Sequence, residues 1–279
     1  MGQVQRGPGW ARLLIYTLLI GLTAVYLYPV LWLGVNSLKN TSEIFGNPWG
    51  FPQKALWENY QRAWTVGRIG VYFVNSAVIT VGSIGLMLLV GSTAAFAIKR
   101  LKWRGADLAL GFFSVGIMIP LHAVLLPLFV WFTRAHLVNT RVSLIIAYAA
   151  FNLPVAILIL CGFFESIPRE LEEAAIVDGC TVGQVFWQII LPVSKSALLV
   201  VSIFSFVSIW NELLVALIFV SDPGKMTLPV GLANFRGEYA TNFAPLLAAV
   251  MITMVPSIIV YSILSDRIIE GMTAGALKG

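Results

Sequence analysis

Residues 165–196 read ESIPRELEEAAIVDGCTVGQVFWQIILPVSKS and form a charged stretch between two strongly apolar runs. Ser166 is a candidate N-cap and Pro168 suits a first helical turn, where its missing N–H leaves no bond unmade. The glutamates that follow favour the positive end of a helix dipole. Gly179 fits the position just after the helix, because glycine accepts a positive φ. A short helix closed by a glycine turn is therefore predicted.

The second half of this stretch carries a start signal of its own. Thr181 followed by Gln184 is a capping-box pattern. It predicts a second helix, which we expect to stop before Pro192 because proline lacks the N–H that a helix interior needs. From these patterns alone, an ordinary solvated helical loop is as good an interpretation as a docking surface for a partner.

Composition places this stretch in a membrane protein. The chain has 279 residues, of which 58% are hydrophobic and 11% are charged, and its mean hydropathy is +0.87. Soluble domains carry about 25% charged residues, and a spanning helix needs about 20 apolar ones. We therefore expect an all-α, polytopic membrane protein with six transmembrane helices. The six apolar runs are 13–34, 71–98, 108–132, 143–164, 197–220 and 243–264.

The net charge, the cysteines and the histidines argue against a nucleic-acid surface, a disulfide framework and a metal site. The net charge of +5 is modest, so no nucleic-acid surface is predicted. The two cysteines, Cys161 and Cys180, make no disulfide framework. The two histidines, His122 and His136, stand apart without a carboxylate or cysteine cluster, so no metal site is expected.

Orientation follows from a basic cluster between the second and third runs. Short loops rich in lysine and arginine are retained in the cytoplasm. The cluster consists of Lys99, Arg100, Lys102 and Arg104. Counting spans from it predicts that both termini and residues 165–196 are cytoplasmic. Residues 36–70, 133–142 and 221–242 then lie outside, and the tryptophans of 36–70 are expected to anchor short helices at the lipid headgroups.

Three polar residues interrupt the apolar runs. Asn211 and Glu212 lie inside the fifth, where an ionisable side chain costs about 2.5–3.5 kcal/mol and usually faces a cavity or a partner. We predict that they line a substrate path or a gate; the alternative is a structural hydrogen bond to a neighbouring helix. Asn152 lies in the fourth run and is assigned to the same substrate path or gate, although joining two helices is a better explanation for it than direct ligand contact.

No sequence pattern for nucleotide hydrolysis occurs. The P-loop motif is absent, as are H-E-x-x-H and G-x-S-x-G. No catalytic residue is therefore predicted. If ATP drives transport, another subunit must bind it, and no cofactor is expected on this chain.

The charged stretch resembles the EAA loop of inner-membrane subunits of binding-protein-dependent ABC importers, and further motifs resemble the MalG-type branch of carbohydrate permeases. In place of the Gly-Ala-Ser common in that family, this chain has Gly179-Cys180-Thr181, which keeps a capping hydroxyl. The matching motifs are Glu173-Ala174-Ala175, Asp178-Gly179, Leu191-Pro192, Asn75-Ser76, Met118-Ile119-Pro120, Trp210-Asn211-Glu212 and the tail 271–279.

The resemblance implies a type I ABC importer permease fold. Its parts would be an N-terminal tail, first span and outer segment (1–70), a permease core (71–266) containing the loop 165–196, and a cytoplasmic tail (267–279). The ATPase-coupling residues would be Glu173, Ala174, Ala175, Asp178 and Gly179. The tail would reach towards the ATPase pair, unless it is simply a frayed end.

The resemblance also implies partners and a place in the cell. The partners would be a sister permease, two ATP-binding cassette subunits, an extracytoplasmic solute-binding protein that delivers a sugar to the outer loops, and membrane lipid. The chain would be a multi-pass protein of a bacterial or archaeal cytoplasmic membrane. Three alternatives stay open: an ABC permease for glycerol phosphate or a polyol, an ion-coupled secondary transporter, and an intramembrane enzyme.

Overall fold

The computed structural model describes the backbone of residues 9–238 and 243–276 and the side chains of residues 9–234 and 243–263. Regular structure in these ranges is helical, without a strand, which confirms the all-α prediction. The helices are α1 (Gly9–Ser37), α2 (Thr41–Gly46), α3 (Glu58–Thr65), α4 (Ile69–Arg100), α5 (Ala106–Ile117), α6 (Leu121–Arg134), α7 (Arg141–Ser166), α8 (Glu170–Val177), α9 (Val182–Val185), α10 (Leu191–Val193), α11 (Lys195–Trp210), α12 (Leu214–Phe219), α13 (Leu228–Glu238) and α14 (Phe243–Ala276).

Six crossings of a bilayer can be built from these helices. Four are single apolar helices: α1, α4, α7 and the Phe243–Ile263 part of α14. Two are bent pairs, with 102° between α5 and α6 and 72° between Val182–Val193 and α11. Helices suit this environment because each satisfies its own backbone polar groups where water is absent. The structure agrees with the predicted number of six when each pair counts as one crossing by length and composition, although Val182–Val193 of the second pair falls in the loop 165–196 that is predicted to be cytoplasmic.

The third predicted span bends at Pro120, as its sequence suggests. Pro120 precedes the first residue of α6 and has extended backbone angles. Proline cannot donate the hydrogen bond that would continue α5, so the chain turns before α6 begins. The other prolines expected to kink spans, Pro127, Pro154 and Pro256, lie inside helices that continue past them.

The fifth predicted span, 197–220, is not a single helix. Helix α11 ends at Trp210 and α12 begins at Leu214. The Glu212 carboxylate lies within 3.0 Å of the Val215 N–H and 3.4 Å of the Ala216 N–H, from which it accepts hydrogen bonds. These donors are the unpaired ones at the start of a helix, so Glu212 stabilises a fresh start at this point.

The chain forms two compact units, one comprising residues 1–69 and 232–254 and the other residues 70–231 and 255–279. The predicted boundaries at 70 and 266 divide the chain by its order of spans and tails, whereas these units group residues that pack together. Neither division therefore tests the other. The backbone of the predicted tail continues α14 as far as Ala276, and residues 277–279 lie outside the described residues.

The first unit folds the outer segment around a buried lysine. The Lys39 ammonium is fully buried and donates hydrogen bonds to the Asn36 Oδ1 at 3.0 Å and to the Asn47 carbonyl at 2.8 Å. Asn59 joins α3 to the same place by donating to the carbonyls of Ser37 and Lys39. The short helices expected in 36–70 are confirmed as α2 and α3.

The second unit holds the core that seats the charged stretch. One apolar cluster joins α4, α7 and α11 to the segment 175–190. Small side chains such as Ala95 and Ala156 let the helices approach closely, which is the usual way that membrane helices pack. Because residues from α8 and α9 belong to this cluster, the stretch is part of the folded core and not a detached loop.

Candidate functional site

Helix α8 ends in a glycine turn, as predicted. Gly179 has a φ of +87°, and the Gly179 N–H donates to the Ile176 carbonyl. The Cys180 N–H donates to the Ala175 carbonyl at 2.9 Å. These two bonds form a Schellman motif, which satisfies carbonyls that the helix leaves free. A Cβ at residue 179 would meet no atom within 4 Å, so only the positive φ requires glycine.

The start of α8 differs from the prediction. Ser166 is the last residue of α7, and its hydroxyl donates to the Phe163 carbonyl, so its assignment as an N-cap is wrong. Pro168 lies in the link before α8, which begins only at Glu170. The serine pattern misled because a serine can bond back to the preceding turn as well as cap the next one.

The second helix begins as predicted and ends later. The Thr181 N–H donates to the Gln184 Oε1 at 2.7 Å and the Gln184 N–H donates to the Thr181 Oγ1 at 3.4 Å, which confirms the capping box. The helical path then widens into the π-helical turn Phe186–Ile190 and continues into α10, which contains Pro192. The predicted stop before Pro192 is wrong, because the π-helical turn gives the chain an alternative to ending there.

The predicted coupling residues in α8 and in the turn after it differ in exposure. Ala175 is buried and packs in the apolar cluster, whereas Glu173, Ala174, Asp178 and Gly179 are exposed. Three large apolar residues of α8 are also exposed to solvent: Leu171 at 44%, Ile176 at 57% and Val177 at 87%. An exposed patch of this kind on a charged loop is typical of a surface that another protein covers.

The three polar residues predicted to interrupt the spans have different partners. The Tyr148 hydroxyl donates to the Glu212 Oε2 at 2.7 Å. The Asn152 Nδ2 donates to the Tyr148 carbonyl of its own helix at 2.8 Å, so this bond does not join two helices as expected. Asn211 is exposed and donates to the Val207 carbonyl of its own helix. The sequence reasoning missed Tyr148, because no pattern in the sequence indicates that this part of α7 lies beside Glu212.

Comparison with known proteins decides the family. Residues 87–270 match the family model described as binding-protein-dependent transport system inner membrane component. The chain belongs to this family. The matched region contains the loop 165–196, the break at 211–213 and Tyr148. The permease is therefore an inner-membrane transport component, which excludes the ion-coupled secondary transporter as an alternative.

Relatives of the permease cover almost its full length. It is 33% identical over 265 residues to the diacetylchitobiose uptake system permease protein NgcG of Streptomyces coelicolor, covering 94% of this chain and 88% of that protein. It is 33% identical over 277 residues to the trehalose transport system permease protein SugB of Mycobacterium tuberculosis, covering 99% of each. It is 36% identical to the sulfoquinovosyl glycerol transport system permease protein SmoH of Agrobacterium fabrum, covering 91% of this chain and 89% of that protein. The resemblance to carbohydrate ABC permeases is confirmed.

A solved structure confirms the fold. The permease superposes with a TM-score of 0.81 on a chain from the crystal structure of a bacterial ABC transporter involved in the import of the acidic polysaccharide alginate. The two chains are 23% identical, and the match covers 95% of this chain and 99% of the other. The expected ABC importer permease fold is thus confirmed.

Proposed function

We propose that this permease subunit of an ABC importer translocates a sugar or oligosaccharide, and that ATP hydrolysed by partner subunits drives it through the loop 165–196. The sugar class is supported by the relatives, which are named for diacetylchitobiose, trehalose and sulfoquinovosyl glycerol. A permease for glycerol phosphate or a polyol is the second candidate, favoured by the glycerol moiety in the last of these names.

The exposed face of α8 carries the coupling proposal. Six of the eight residues from Glu170 to Val177 are exposed, and three of these six are Leu171, Ile176 and Val177. A solvated loop would place such apolar side chains against the core, but here the core takes Ala175 instead. We place the ATPase on this exposed face, with Glu173 and Ala174 in contact and Asp178 and Gly179 forming the turn. Ala175 then seats the helix and does not meet the partner.

The remaining partners are part of the same proposal. The described part of the chain offers one such helix, and an ATPase pair offers two clefts, so a second, sister permease completes the assembly. ATP is bound by the two cassette subunits and not by this chain. An extracytoplasmic binding protein delivers the sugar to 36–70 and 221–242; residues 239–242 lie outside the described residues. Both termini are cytoplasmic, as is the loop.

The break at 211–213 is where we place the substrate path or a gate. Asn211 is exposed there and Glu212 is half-buried. Glu212 is held by Tyr148 from α7 and by the start of α12, so moving α7 against α12 changes the surroundings of the carboxylate. Asn152, which is half-buried one turn after Tyr148 in α7, belongs to the same proposed path or gate.

Uptake by the assembled importer tests the proposal. The permease is expressed with its partner subunits, and transport of radiolabelled trehalose, diacetylchitobiose, glycerol phosphate and a polyol is measured. We expect uptake of a sugar, and its loss in Glu173→Lys/Ala174→Asp and in Gly179→Pro, which cannot adopt a φ of +87°. Membrane insertion should stay intact. Normal uptake by both variants would contradict the coupling role, and uptake of glycerol phosphate or polyol alone would favour the second candidate.

A further inference from the structure

A buried arginine lies where the second and fourth spans meet the loop. Arg100 is the last residue of α4, and its side chain is 3% exposed. The guanidinium Nη2 donates hydrogen bonds to the carbonyl of Phe164 and, at 2.7 Å, to the carbonyl of Ile167. The Phe164 carbonyl also accepts a bond from the Ile167 N–H, and Ile167 is the C-cap of α7. Both carbonyls therefore lie at the C-terminal end of this helix, where a positive charge is favoured.

The same guanidinium faces the loop helix. The Arg100 Nε lies 3.1 Å from the Glu172 Oε1 of α8, and the glutamate side chain is 15% exposed. These atoms form an ion pair without hydrogen-bond alignment. One side chain therefore joins the ends of α4 and α7 to α8. The neighbouring pair of Lys99 with Glu165, 2.8 Å apart, differs because its glutamate is 66% exposed.

Helix α8 has few other means of attachment. Within Glu170–Val177, Glu172 and Ala175 are the two residues that are not exposed. Ala175 contributes one methyl group to the apolar cluster. An apolar contact has no preferred direction, so it lets α8 slide along the cluster. Glu172 contributes a charge that faces a fixed, buried partner. An ion pair with low exposure is screened little by salt and resists separation, because parting it leaves a buried charge alone.

We propose that Arg100 is a positioning residue that transmits movement of α8 to α4 and α7. This inference rests on the proposed coupling function and adds to it the residue through which the ATPase acts on the spans. When α8 moves, Glu172 moves with it and displaces Arg100. Arg100 belongs to α4 and is hydrogen-bonded to the carbonyls of Phe164 and Ile167, so both α4 and the end of α7 are displaced. Without Arg100, α8 could move while the spans stay in place.

Cys180 reports whether α8 is held in place. It follows α8 by three residues and is half-buried against the apolar cluster. The purified full-length chain is placed in lipid nanodiscs with Cys161→Ala, and the rate of maleimide labelling is measured. We expect Arg100→Met and Glu172→Gln to speed labelling about tenfold, because breaking a buried pair frees the helix. Arg100→Lys, which retains a charge but not the forked donors, should fall between them and the parent.

Two variants serve as matched controls for this labelling. Lys99→Gln removes the adjacent basic side chain, and Glu170→Gln removes an exposed acid from the same helix; both should leave the rate unchanged. Glu172→Gln separates loss of the ion pair from loss of the contacts to α7, because it leaves Arg100 and its two bonds to α7 in place. Labelling of Arg100→Met and Glu172→Gln at the parent rate would overturn the proposal.

A second measurement separates positioning from a merely structural role. In the importer assembled with its ATPase subunits, a fluorophore on Val155→Cys of α7, in a background without native cysteines, reports the response to ATP with vanadate. We expect a spectral shift in the parent and its loss in Glu172→Gln, with the ATPase still bound. A parent-like shift in Glu172→Gln would overturn the inference. A parent that binds no ATPase would overturn the proposed function instead, whatever the labelling of Cys180 shows.

Discussion

Two regions of the second unit place a charged side chain against the end of a helix. The two side chains differ in how deeply they are buried and in what holds them. At the loop, Arg100 meets the end of α7 and pairs with Glu172, and its side chain is 3% exposed. At the break, Glu212 meets the start of α12 and is half-buried, and its side-chain partner is the neutral Tyr148. Both charges match the helix dipole they face. We therefore expect the first contact to hold its helices together firmly and the second to exchange partners more readily.

Parallel replacement of the two glutamates tests this difference with the largest expected effect. Glu172→Gln leaves the buried Arg100 without its charge partner and should lower the free energy of unfolding by about 3 kcal/mol. Glu212→Gln keeps an acceptor for Tyr148 and for the α12 donors, so the loss should be about 1 kcal/mol. Denaturant unfolding of the purified chain in detergent measures both. Equal losses of unfolding free energy would contradict the inference that the contact at Arg100 is the firmer of the two.

The turn after α8 offers a smaller effect. Gly179→Ala should destabilise the chain by about 1–2 kcal/mol, because an alanine is strained at the observed φ of +87° although its methyl group has room. Gly179→Asn should lose less, since asparagine visits this backbone region more readily. The midpoint of thermal unfolding distinguishes the two. If alanine is no worse than asparagine, the turn does not depend on its positive φ.

Removing one hydroxyl at the break should have the smallest effect. Tyr148→Phe deletes the hydrogen bond to the Glu212 Oε2 and should cost about 1 kcal/mol, while Glu212 keeps the N–H groups of α12. The exposed Tyr26→Phe, in α1, is the control and should be neutral. We also expect Tyr148→Phe to change basal ATPase activity of the assembled importer without loss of ATPase binding. Release of the ATPase by this variant would mean that the break belongs to the docking machinery.

Local patterns predicted much of the fold. The apolar runs, the glycine turn at Gly179 and the capping box of Thr181 with Gln184 depend on neighbours in sequence, and the structure contains all three. Competing local solutions account for two errors: Ser166 bonds back into α7, and a π-helical turn carries the chain past Pro192. Neither outcome can be chosen without knowing how the surrounding helices pack.

The partners of the polar residues could not be predicted in the same way. Arg100 reads as a topology signal in sequence, yet it is buried against a carbonyl 64 residues away. Glu212 reads as a costly charge in a span, and its partner Tyr148 is also 64 residues distant. Such pairs depend on which helices lie side by side. That arrangement follows from tertiary packing, on which spacing along the chain carries no information.

Cross-linking from the exposed face of α8 tests the central claim most directly. Val177, which is 87% exposed, is replaced by cysteine in a background without the native cysteines, and inverted membrane vesicles containing the assembled importer are treated with a short bifunctional maleimide. We predict a covalent product with the ATPase subunit, formed from the cytoplasmic side. Absence of that product while the ATPase remains bound, or labelling of this cysteine from outside intact cells, would contradict the account.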